Sequence, residues 1–364
     1  SDWSSDVCSS DLIGVEDWRA LNESIERPMH NRALRATYPP GSTYKPFMAL
    51  AGLELGLRRP DSVVYDPGFW VLGNQRFRSV GERHLGPVDL RRAMAVSSNV
   101  YFYTLAHEMG IEAMHDFMQP LGLGQLTGID LVGESRGLLP NQAWKRSAYQ
   151  HPSQQRWFAG DTVAAGIGQG YNSFTMLQLA SATATLASGG VRQRPHLGLR
   201  LYDPSAPRGR ALVEPEGHAL NLNPAHLQAV LDSMEAVNVE GGTAARVFAG
   251  APYRSGGKTG TAQAVGIAQG QRYDAAQLEE HQRSHSLYIG FAPLESPTVA
   301  LAVIVENAGF GSVAAAPIAR RVFDYLLLGL YPSEQDIAAT QLGQAGAPIG
   351  VQRQVREVVW HVRP

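Results

Sequence analysis

The chain has 364 residues, 44% of them hydrophobic, which is enough apolar material for one large or two ordinary domains. Its formal net charge of -2 gives no argument for nucleic acid or an anionic membrane as the main partner. With Cys8 as the single cysteine, the sequence excludes an internal disulfide framework and a thiolate metal site. No apolar run approaches the roughly 18 residues that would predict a membrane span.

The first twelve residues differ in composition from the rest of the chain. They repeat Ser and Asp around Cys8, and no later segment resembles them. We interpret residues 1–12 as a non-native scar from a translated adaptor and exclude them from the fold, with a genuine disordered terminus as the alternative. Neither interpretation gives Cys8 a function.

Residues 38–54 contain the first pattern that predicts chemistry. Gly41 and the two prolines before it break the backbone, and the apolar run that follows Ser42 predicts a buried helix. Lys45 then lies one turn beyond Ser42 on the same face, so its amine can reach the serine hydroxyl. The positive end of the helix would also favour negative charge beside Ser42. The pattern predicts a serine nucleophile next to a candidate base.

Lysine usage supports this interpretation. Only three of the 31 basic residues are lysines, namely Lys45, Lys145 and Lys258. Arginine stays protonated in proteins, whereas a desolvated lysine can lose its proton, so a chain that otherwise avoids lysine keeps it where an amine base is needed. A Ser-x-x-Lys alone is weak evidence, because chance produces it roughly 0.2 times in such a chain.

The next candidate residues lie in a break between two predicted helices. Residues 61–86 predict short strands and turns, and the helical pattern that follows them is interrupted at 97–99. A further helix, 100–110, is closed by its final glycine. Ser97 and Asn99 can therefore point into a cleft, although a helix cap is the usual explanation of a lone Ser-x-Asn.

The glycine-rich run 166–170 is predicted to be a turn. It lacks the preceding strand and the spacing of a dinucleotide-binding loop. The elements predicted after it are the helices 175–187, 224–237 and 314–330, a strand entered by 255–264, and the strands 286–292 and 298–306. A short turn joins the two strands, which predicts an antiparallel pair.

A metal centre has little support in the sequence. His281 and His285 have helical spacing but lie among charged residues without a third ligand in view, so a solvated surface is the better interpretation.

The third motif makes the first two specific. Lys258-Thr259-Gly260 arises by chance only about 0.015 times in such a chain, and here it follows Ser-x-x-Lys and Ser-x-Asn in that order. The triple resembles the one in penicillin-binding proteins and class A β-lactamases. The separations of 55 residues from Ser42 to Ser97, and 161 from Ser97 to Lys258, resemble those of the transpeptidases.

The resemblance extends beyond the motifs to the transpeptidase domain of class B penicillin-binding proteins, most of all the elongation-specific penicillin-binding protein 2 of Gram-negative bacteria. It rests on further segments: 38–47, 127–134, 160–170, 241–244, 257–263 and 289–293. It implies an α+β fold like that of the serine β-lactamases, with an antiparallel sheet flanked by helices and a mainly helical subdomain. We expect this domain at 13–330, followed by a loosely ordered Gln-, Ala- and Gly-rich tail at 331–364.

The family also implies a setting for the chain. Its full-length members carry an N-terminal membrane anchor and a pedestal domain, so we expect a fragment that works at the periplasmic face of the bacterial inner membrane. The expected partners are peptidoglycan stem peptides, as D-Ala-D-Ala donor and amine acceptor, and β-lactam antibiotics. Wall-synthesis membrane partners would bind through the missing N-terminal regions, and no nucleic acid is expected.

The resemblance implies acyl transfer through a covalent intermediate. Ser42 would attack the penultimate D-Ala carbonyl with Lys45 as proton acceptor, and the N–H groups of Ser42 and Thr261 would form the oxyanion hole. Ser97 would pass a proton to the departing amine, and Asn99 would hold the substrate amide. The resemblance implies that no metal or organic cofactor is required.

The third motif would bind the substrate's terminal carboxylate. The resemblance implies that Lys258 supplies positive potential, while the Thr259 and Thr261 hydroxyls on either side of Gly260 hold the carboxylate of the peptide or of a β-lactam.

Two departures from the family pattern bear on subtype. Some elongation-type members bind zinc through Asp, His and Cys. Asp66 and His84 match two of these ligands, but no cysteine follows Cys8, so we predict no zinc. Some elongation-type relatives have Asp where this chain has Asn99, which slightly favours the septal subtype.

Four alternatives to an elongation transpeptidase stay open from the sequence. They are a septal transpeptidase, a serine β-lactamase, a β-lactam sensor and an inactive scaffold protein. The β-lactamase is disfavoured by the chain length and by the lack of an obvious deacylation element, and the scaffold by the intact motifs.

Overall fold

The computed structural model describes residues 13–24, 26–203, 206–211, 217–263 and 278–358, so the predicted scar at 1–12 lies outside the described residues. The helices of this part are α1 (Val15–Glu23), α2 (Lys45–Glu54), α3 (Leu90–Ala95), α4 (Asn99–Met109), α5 (Ile111–Met118), α6 (Gln142–Ala148), α7 (Pro152–Gln155), α8 (Ala159–Gly166), α9 (Met176–Ala187), α10 (Pro224–Asn238), α11 (Ala245–Phe248), α12 (Ala315–Leu328) and α13 (Glu334–Gln341). Its strands are β1 (Val64–Asp66), β2 (Phe69–Leu72), β3 (Gln75–Arg78), β4 (Gly86–Val88), β5 (Val191–Gln193), β6 (Arg200–Asp203), β7 (Ala206–Ala211), β8 (Gly217–Ala219), β9 (Gly256–Ala262), β10 (His285–Ala292), β11 (Val299–Val305), β12 (Leu330–Tyr331) and β13 (Arg353–Gln354).

The largest sheet within the described ranges is antiparallel, in the order β11-β10-β9. Its central strand β10 is buried from its second residue onward, because helices cover it. On one face the Ser286 hydroxyl accepts a hydrogen bond from the Ala315 N–H of α12, and Tyr288 stacks on Phe248 with ring centroids 5.7 Å apart. The predicted strand pair is confirmed, and β9 extends it with the third motif opposite β10.

Helix α2 lies at the centre of the helical part of the molecule. Every residue from Lys45 to Leu53 is buried, because the segment after Lys45 contains no other polar side chain. Gly52 permits a close approach to α4, since a Cβ there would lie 2.9 Å from the Leu105 side chain. The sequence prediction of a buried helix is confirmed.

The helical subdomain is richer in helix than the sequence predicted. The helix closed by Gly110 is confirmed, with φ of +75° at that glycine, but α5 begins directly after it. The short helices α6, α7 and α8 follow, with 4 to 8 residues each. Elements of this length leave too little apolar periodicity to be recognised from sequence.

The C-terminal region differs from the expectation of a loosely ordered tail. It contains α13, and its Asp336 is fully buried in an ion pair with the Arg321 guanidinium of α12. Asp336 also accepts the Ile349 N–H at 3.0 Å. One buried carboxylate therefore joins the tail to the domain, and the composition of the segment does not reveal it.

The expected arrangement of helices around an antiparallel sheet is otherwise confirmed. Within the described ranges no helix is both long and apolar enough to cross a membrane. The boundaries of the transpeptidase domain at 13–330 stay a prediction.

Candidate active site

Ser42 lies in a single 3₁₀ turn, Gly41–Tyr44, that leads directly into α2. The predicted α-helix therefore begins three residues later than Ser42, and the Lys45 N–H bonds the Ser42 carbonyl oxygen. In a 3₁₀ turn, residues i and i+3 are eclipsed, so Ser42 and Lys45 lie on the same side. The Ser42 side chain is half-buried and forms no hydrogen bond with any described residue, which leaves its hydroxyl available to a substrate.

Ser97 has a backbone conformation that normally favours glycine. The φ of Ser97 is +59°, in the left-handed region. Ser97 terminates α3 in a Schellman motif, in which the Ser98 N–H bonds Ala93 O at 2.8 Å and the Ser97 N–H bonds Met94 O at 3.3 Å. A non-glycine residue here is strained, typically by about 1–3 kcal/mol. In this conformation the Ser97 hydroxyl lies between the amines of Lys45 and Lys258.

The capping role falls to the residue between the two candidates. The Ser98 hydroxyl caps α4 by accepting the Tyr101 N–H at 3.2 Å, and it donates to the buried carboxylate of Asp66. Asn99, the first residue of α4, is thereby free of capping and uses its side-chain oxygen elsewhere. Neither the Ser97 nor the Asn99 side chain caps the start of α4, so the alternative of an N-terminal helix cap is wrong for both.

The three motifs meet around the Ser97 hydroxyl. The Lys45 amine donates to Ser97 Oγ at 3.1 Å and Ser97 O at 2.9 Å, and to Asn99 Oδ1 at 2.7 Å. The Lys258 amine donates to the same Ser97 Oγ at 2.9 Å. A serine oxygen has two lone pairs and one proton, so Ser97 can accept from both lysines and still donate to a third group.

Burial makes both lysines weak bases. Both are fully buried. Burial, and secondarily the positive charge of Lys258, holds the pKa of Lys45 well below its usual range, and the Asp66 carboxylate opposes this shift. Burial lowers the pKa of Lys258 to about 7. A lysine that is neutral near physiological pH can act as a proton acceptor.

Strand β9 lies against the nucleophile turn. A Cβ on Gly260 would lie 2.7 Å from Thr43 Cγ2, so this position in the motif requires glycine. A Cβ on Gly41 would lie 2.5 Å from Thr261 O. The sequence-predicted residues Thr259, Gly260 and Thr261 therefore border the turn that contains Ser42.

Two residues of the site were not among the sequence candidates. The Thr243 hydroxyl hydrogen-bonds that of Thr259 at 2.7 Å, and the Thr243 N–H bonds Ala95 O at 3.0 Å, which joins β9 to the end of α3. Gln169 donates from its side-chain amide to Thr261 O at 3.2 Å. Both belong to glycine-containing segments, and that composition alone signalled only a turn.

The residues that match a family zinc site do not fit a metal. Asp66 is fully buried, and its two carboxylate oxygens accept protein hydrogen bonds from Ser98 and Gly68. The His84 ring bonds the Tyr65 hydroxyl at 2.7 Å. The part of the chain that the structure describes contains no group of three His, Cys, Asp or Glu side chains able to hold a metal ion.

The histidine pair singled out in the sequence does not form a site. His281 lies beside Glu279 on the surface, whereas the ring of His285, the first residue of the central strand β10, accepts the Asn307 N–H at 3.1 Å.

The site combines Ser97, which contacts two buried amines, with the Ser42 hydroxyl on the neighbouring turn, which is hydrogen-bonded to neither amine in this structure. Such a set can take a proton from a nucleophile and return it to a leaving group, which acyl transfer through a covalent intermediate requires.

Comparison with known proteins agrees with this chemistry. Residues 13–324 match the family described as the penicillin-binding protein transpeptidase domain. The peptidoglycan D,D-transpeptidase MrdA of Haemophilus influenzae is 38% identical over 322 residues, covering 87% of this chain and 48% of the relative. The chain thus spans about half the length of that curated relative.

Solved structures give the same similarity. The crystal structure of Pseudomonas aeruginosa PBP2 in complex with WCK 5153 matches with a TM-score of 0.76 and 39% identity, covering 87% of this chain and 67% of that one. A complex of PBP2 and MreC from Helicobacter pylori matches with a TM-score of 0.73 and 29% identity, covering 87% of this chain and 55% of the matched one.

Proposed function

The chain belongs to the penicillin-binding protein transpeptidase family, and from that premise we propose that it is a peptidoglycan D,D-transpeptidase of cell-wall elongation that reacts through Ser42 and is acylated by β-lactams. The observation that supports this most is the convergence of Lys45 and Lys258 on Ser97 Oγ beside the Ser42 turn. The similarity to MrdA and PBP2 supports the elongation subtype over the septal one.

Acylation begins when the Ser42 hydroxyl attacks the penultimate D-Ala carbonyl. In its neutral form Lys45 has two N–H groups, so it keeps two of its three hydrogen bonds and has a lone pair available. That lone pair accepts the serine proton as the Oγ–carbon bond forms, and the carbonyl oxygen becomes an oxyanion. Collapse breaks the carbon–nitrogen bond. Ser97 donates its proton to the departing D-Ala amine and is reprotonated by Lys45, so no external proton donor is needed. With a β-lactam, the same step opens the ring and the amine stays attached.

Substrate binding uses the residues around this pair. Asn99 is proposed to hold the substrate amide through the Asn99 NH₂ group, since Asn99 Oδ1 already accepts a hydrogen bond from Lys45. The Thr259 and Thr261 hydroxyls, next to Gly260, hold the terminal carboxylate. Lys258 attracts that carboxylate and stabilises Ser97 through the bond between them. An amine from a second stem peptide then attacks the ester and releases Ser42, with Lys45 again as the proton acceptor.

The setting is also inferred from relatives. Helicobacter pylori PBP2 has been solved in a complex with MreC, and we propose that this chain works with a wall-synthesis partner of the same kind. We place the activity at the periplasmic face of the bacterial inner membrane, where stem peptides are cross-linked. No cofactor enters the proposed chemistry.

Incubation with benzylpenicillin tests the proposal. Intact-protein mass spectrometry should show one stable penicilloyl adduct per chain, with little hydrolysed drug, because the sequence has no obvious Glu-x-x-x-Asn deacylation element. Rapid drug turnover would instead indicate a serine β-lactamase. A folded protein that neither binds covalently nor hydrolyses the drug would contradict a catalytic role and favour a scaffold.

The rate of acylation should depend on pH with two limbs. It should fall with decreasing pH as Lys45, whose pKa burial holds well below its usual range, becomes protonated. It should also fall above about pH 7 as Lys258, whose pKa is lowered to about 7 by burial, loses the charge that attracts the carboxylate. Because both amines contact Ser97 Oγ, their titrations are coupled, and the apparent pKa values of the two limbs belong to the pair of lysines. Stopped-flow acylation across the pH range measures both limbs.

Lys258→Arg is the matched variant for the alkaline limb. Arginine keeps its charge at all accessible pH values, so the decline above about pH 7 should disappear while the acid limb remains. An unchanged alkaline limb in this variant would assign it to a group other than Lys258.

A further inference from the structure

The loop that follows α8 contacts both sides of the proposed oxyanion hole. Gly168 O accepts the Gly41 N–H at 2.9 Å, so the loop is bonded to the turn that contains Ser42. One residue later, the Gln169 side-chain amide donates to Thr261 O at 3.2 Å, at the end of β9. Adjacent loop residues therefore bond the nucleophile turn and the substrate-binding strand.

The loop itself is rigidly anchored. The Gln169 N–H bonds Ala164 O at 3.0 Å. The Asn172 side chain, which is 1% exposed, donates to Ala165 O at 2.9 Å and to Gln169 O at 3.3 Å. These bonds fix the Gln169 backbone at the end of α8, so its side chain reaches Thr261 from a defined position.

Close contacts between the loop that follows α8 and the Ser42 turn leave little space for either to move. A Cβ on Gly168 would lie 2.2 Å from Gly41 O, and the Gly168 φ of +73° also favours glycine. The Gln169 side-chain nitrogen would lie 3.5 Å from a Cβ on Gly41. The nucleophile turn is therefore held between the loop and Thr261, and a small movement of either would displace it.

The hydrogen bond from Gln169 to Thr261 O also shows which way the Thr261 N–H points. In an antiparallel pair, opposing residues either exchange both hydrogen bonds or point both groups away from each other. Thr261 pairs with Ser286, yet Thr261 O faces Gln169 and Gly41, on the edge away from β10. The Thr261 N–H consequently points to that same free edge, where an oxyanion beside Ser42 would need a donor.

We propose that Gln169 is a positioning residue for acyl transfer, whose side-chain amide holds the Thr261 peptide edge at the distance from the Ser42 turn that completes the oxyanion hole. This inference rests on the proposed function and adds a residue to it. Gln169 acts through Thr261 and does not touch the reacting atoms.

The test compares two variants that remove the donor at nearly constant size, Gln169→Met and Gln169→Glu. Nitrocefin acylation by stopped flow separates the non-covalent dissociation constant from the acylation rate constant. We expect the rate constant to fall about tenfold to a hundredfold, because oxyanion stabilisation is sensitive to placement, while the dissociation constant changes little. Gln169→Glu should be the more impaired, since its carboxylate would repel Thr261 O.

A spectroscopic measurement distinguishes positioning from general packing. In the infrared difference spectrum of the penicilloyl-enzyme, the ester carbonyl band should move to higher wavenumber in the variants, because the carbonyl loses hydrogen bonding in the hole. Gln154→Met, at an exposed glutamine of α7, is the matched control and should leave the rate and band unchanged.

An unaltered acylation rate constant in a folded variant would overturn the inference, as would a slower rate with an unshifted carbonyl band or an effect on the dissociation constant alone. If one variant fails to fold, the other decides. A wild-type chain that is not acylated would overturn the proposed function, and this inference with it, whereas normal wild-type acylation with normal variants would overturn the inference alone.

Discussion

Ser42→Ala is expected to abolish covalent labelling by benzylpenicillin while leaving the fold intact. Without Ser42 Oγ the proposed ester cannot form, so no penicilloyl adduct should appear. The fold should tolerate the change within about 0.5 kcal/mol, because the Ser42 hydroxyl makes no hydrogen bond to a described residue. Mass spectrometry and thermal unfolding measure the two effects on the same sample.

Non-covalent binding of benzylpenicillin should survive in Ser42→Ala. The groups proposed to hold the carboxylate are untouched, so benzylpenicillin should still raise the melting temperature through non-covalent binding. Ser153→Ala, at an exposed serine of α7, controls for the substitution and should be labelled like the wild type. Persistent labelling of Ser42→Ala would move the nucleophile to another residue, with Ser97 the first to examine.

Local patterns predicted the parts of the site that depend on spacing along the chain. Ser42 and Lys45 are three residues apart, and any helical turn places them on one side, so the 3₁₀ geometry changed the helix boundary and not the prediction. The break at 97–99 was also predictable from the sequence, because three polar residues interrupt the helical pattern of apolar residues there. Which of its residues capped the next helix was not visible, since serine and asparagine are both good caps.

The features that the sequence did not predict depend on distant contacts. Gln169 and Thr261 are 92 residues apart, and no local pattern relates a turn glutamine to a strand carbonyl. The left-handed conformation of Ser97 opposes residue preference, so a sequence rule would have expected glycine there. The Arg321–Asp336 ion pair orders a tail whose composition predicted looseness, because one buried bond leaves no compositional trace.

Lys45→Met should lower the rate of acylation by about a hundredfold to ten-thousandfold, the contribution typical of a positioned general base. Methionine fills a similar volume but has no amine, so the Ser42 proton loses its acceptor. The substitution should also destabilise the fold, since Ser97 O and Asn99 Oδ1 lose the Lys45 donor and an unpaired buried polar atom costs about 1–3 kcal/mol. Ser97 Oγ keeps its bond from Lys258. Stopped-flow acylation and urea unfolding measure the two losses separately.

Lys145→Met separates the chemical effect from the structural one. Lys145 is also buried, at 3% exposed, but it pairs with Asp161 and contacts the aromatic rings of Trp157 and Tyr171, away from Ser97. Its loss should destabilise the protein while leaving acylation of the folded fraction within a few-fold of wild type. Similar rate losses in both variants would attribute the Lys45 effect to folding.

Lys45→Arg then distinguishes a base from a positive charge. Arginine retains the charge and several donors but stays protonated, so a base is lost while electrostatic attraction is kept. If Lys45 accepts the Ser42 proton, as its burial and the nearby Lys258 charge favour by lowering its pKa, the arginine variant should be as slow as the methionine one. Recovery of the rate with arginine would show that Lys45 contributes charge alone, and the proton acceptor would then be sought at Lys258, whose amine also contacts Ser97 Oγ.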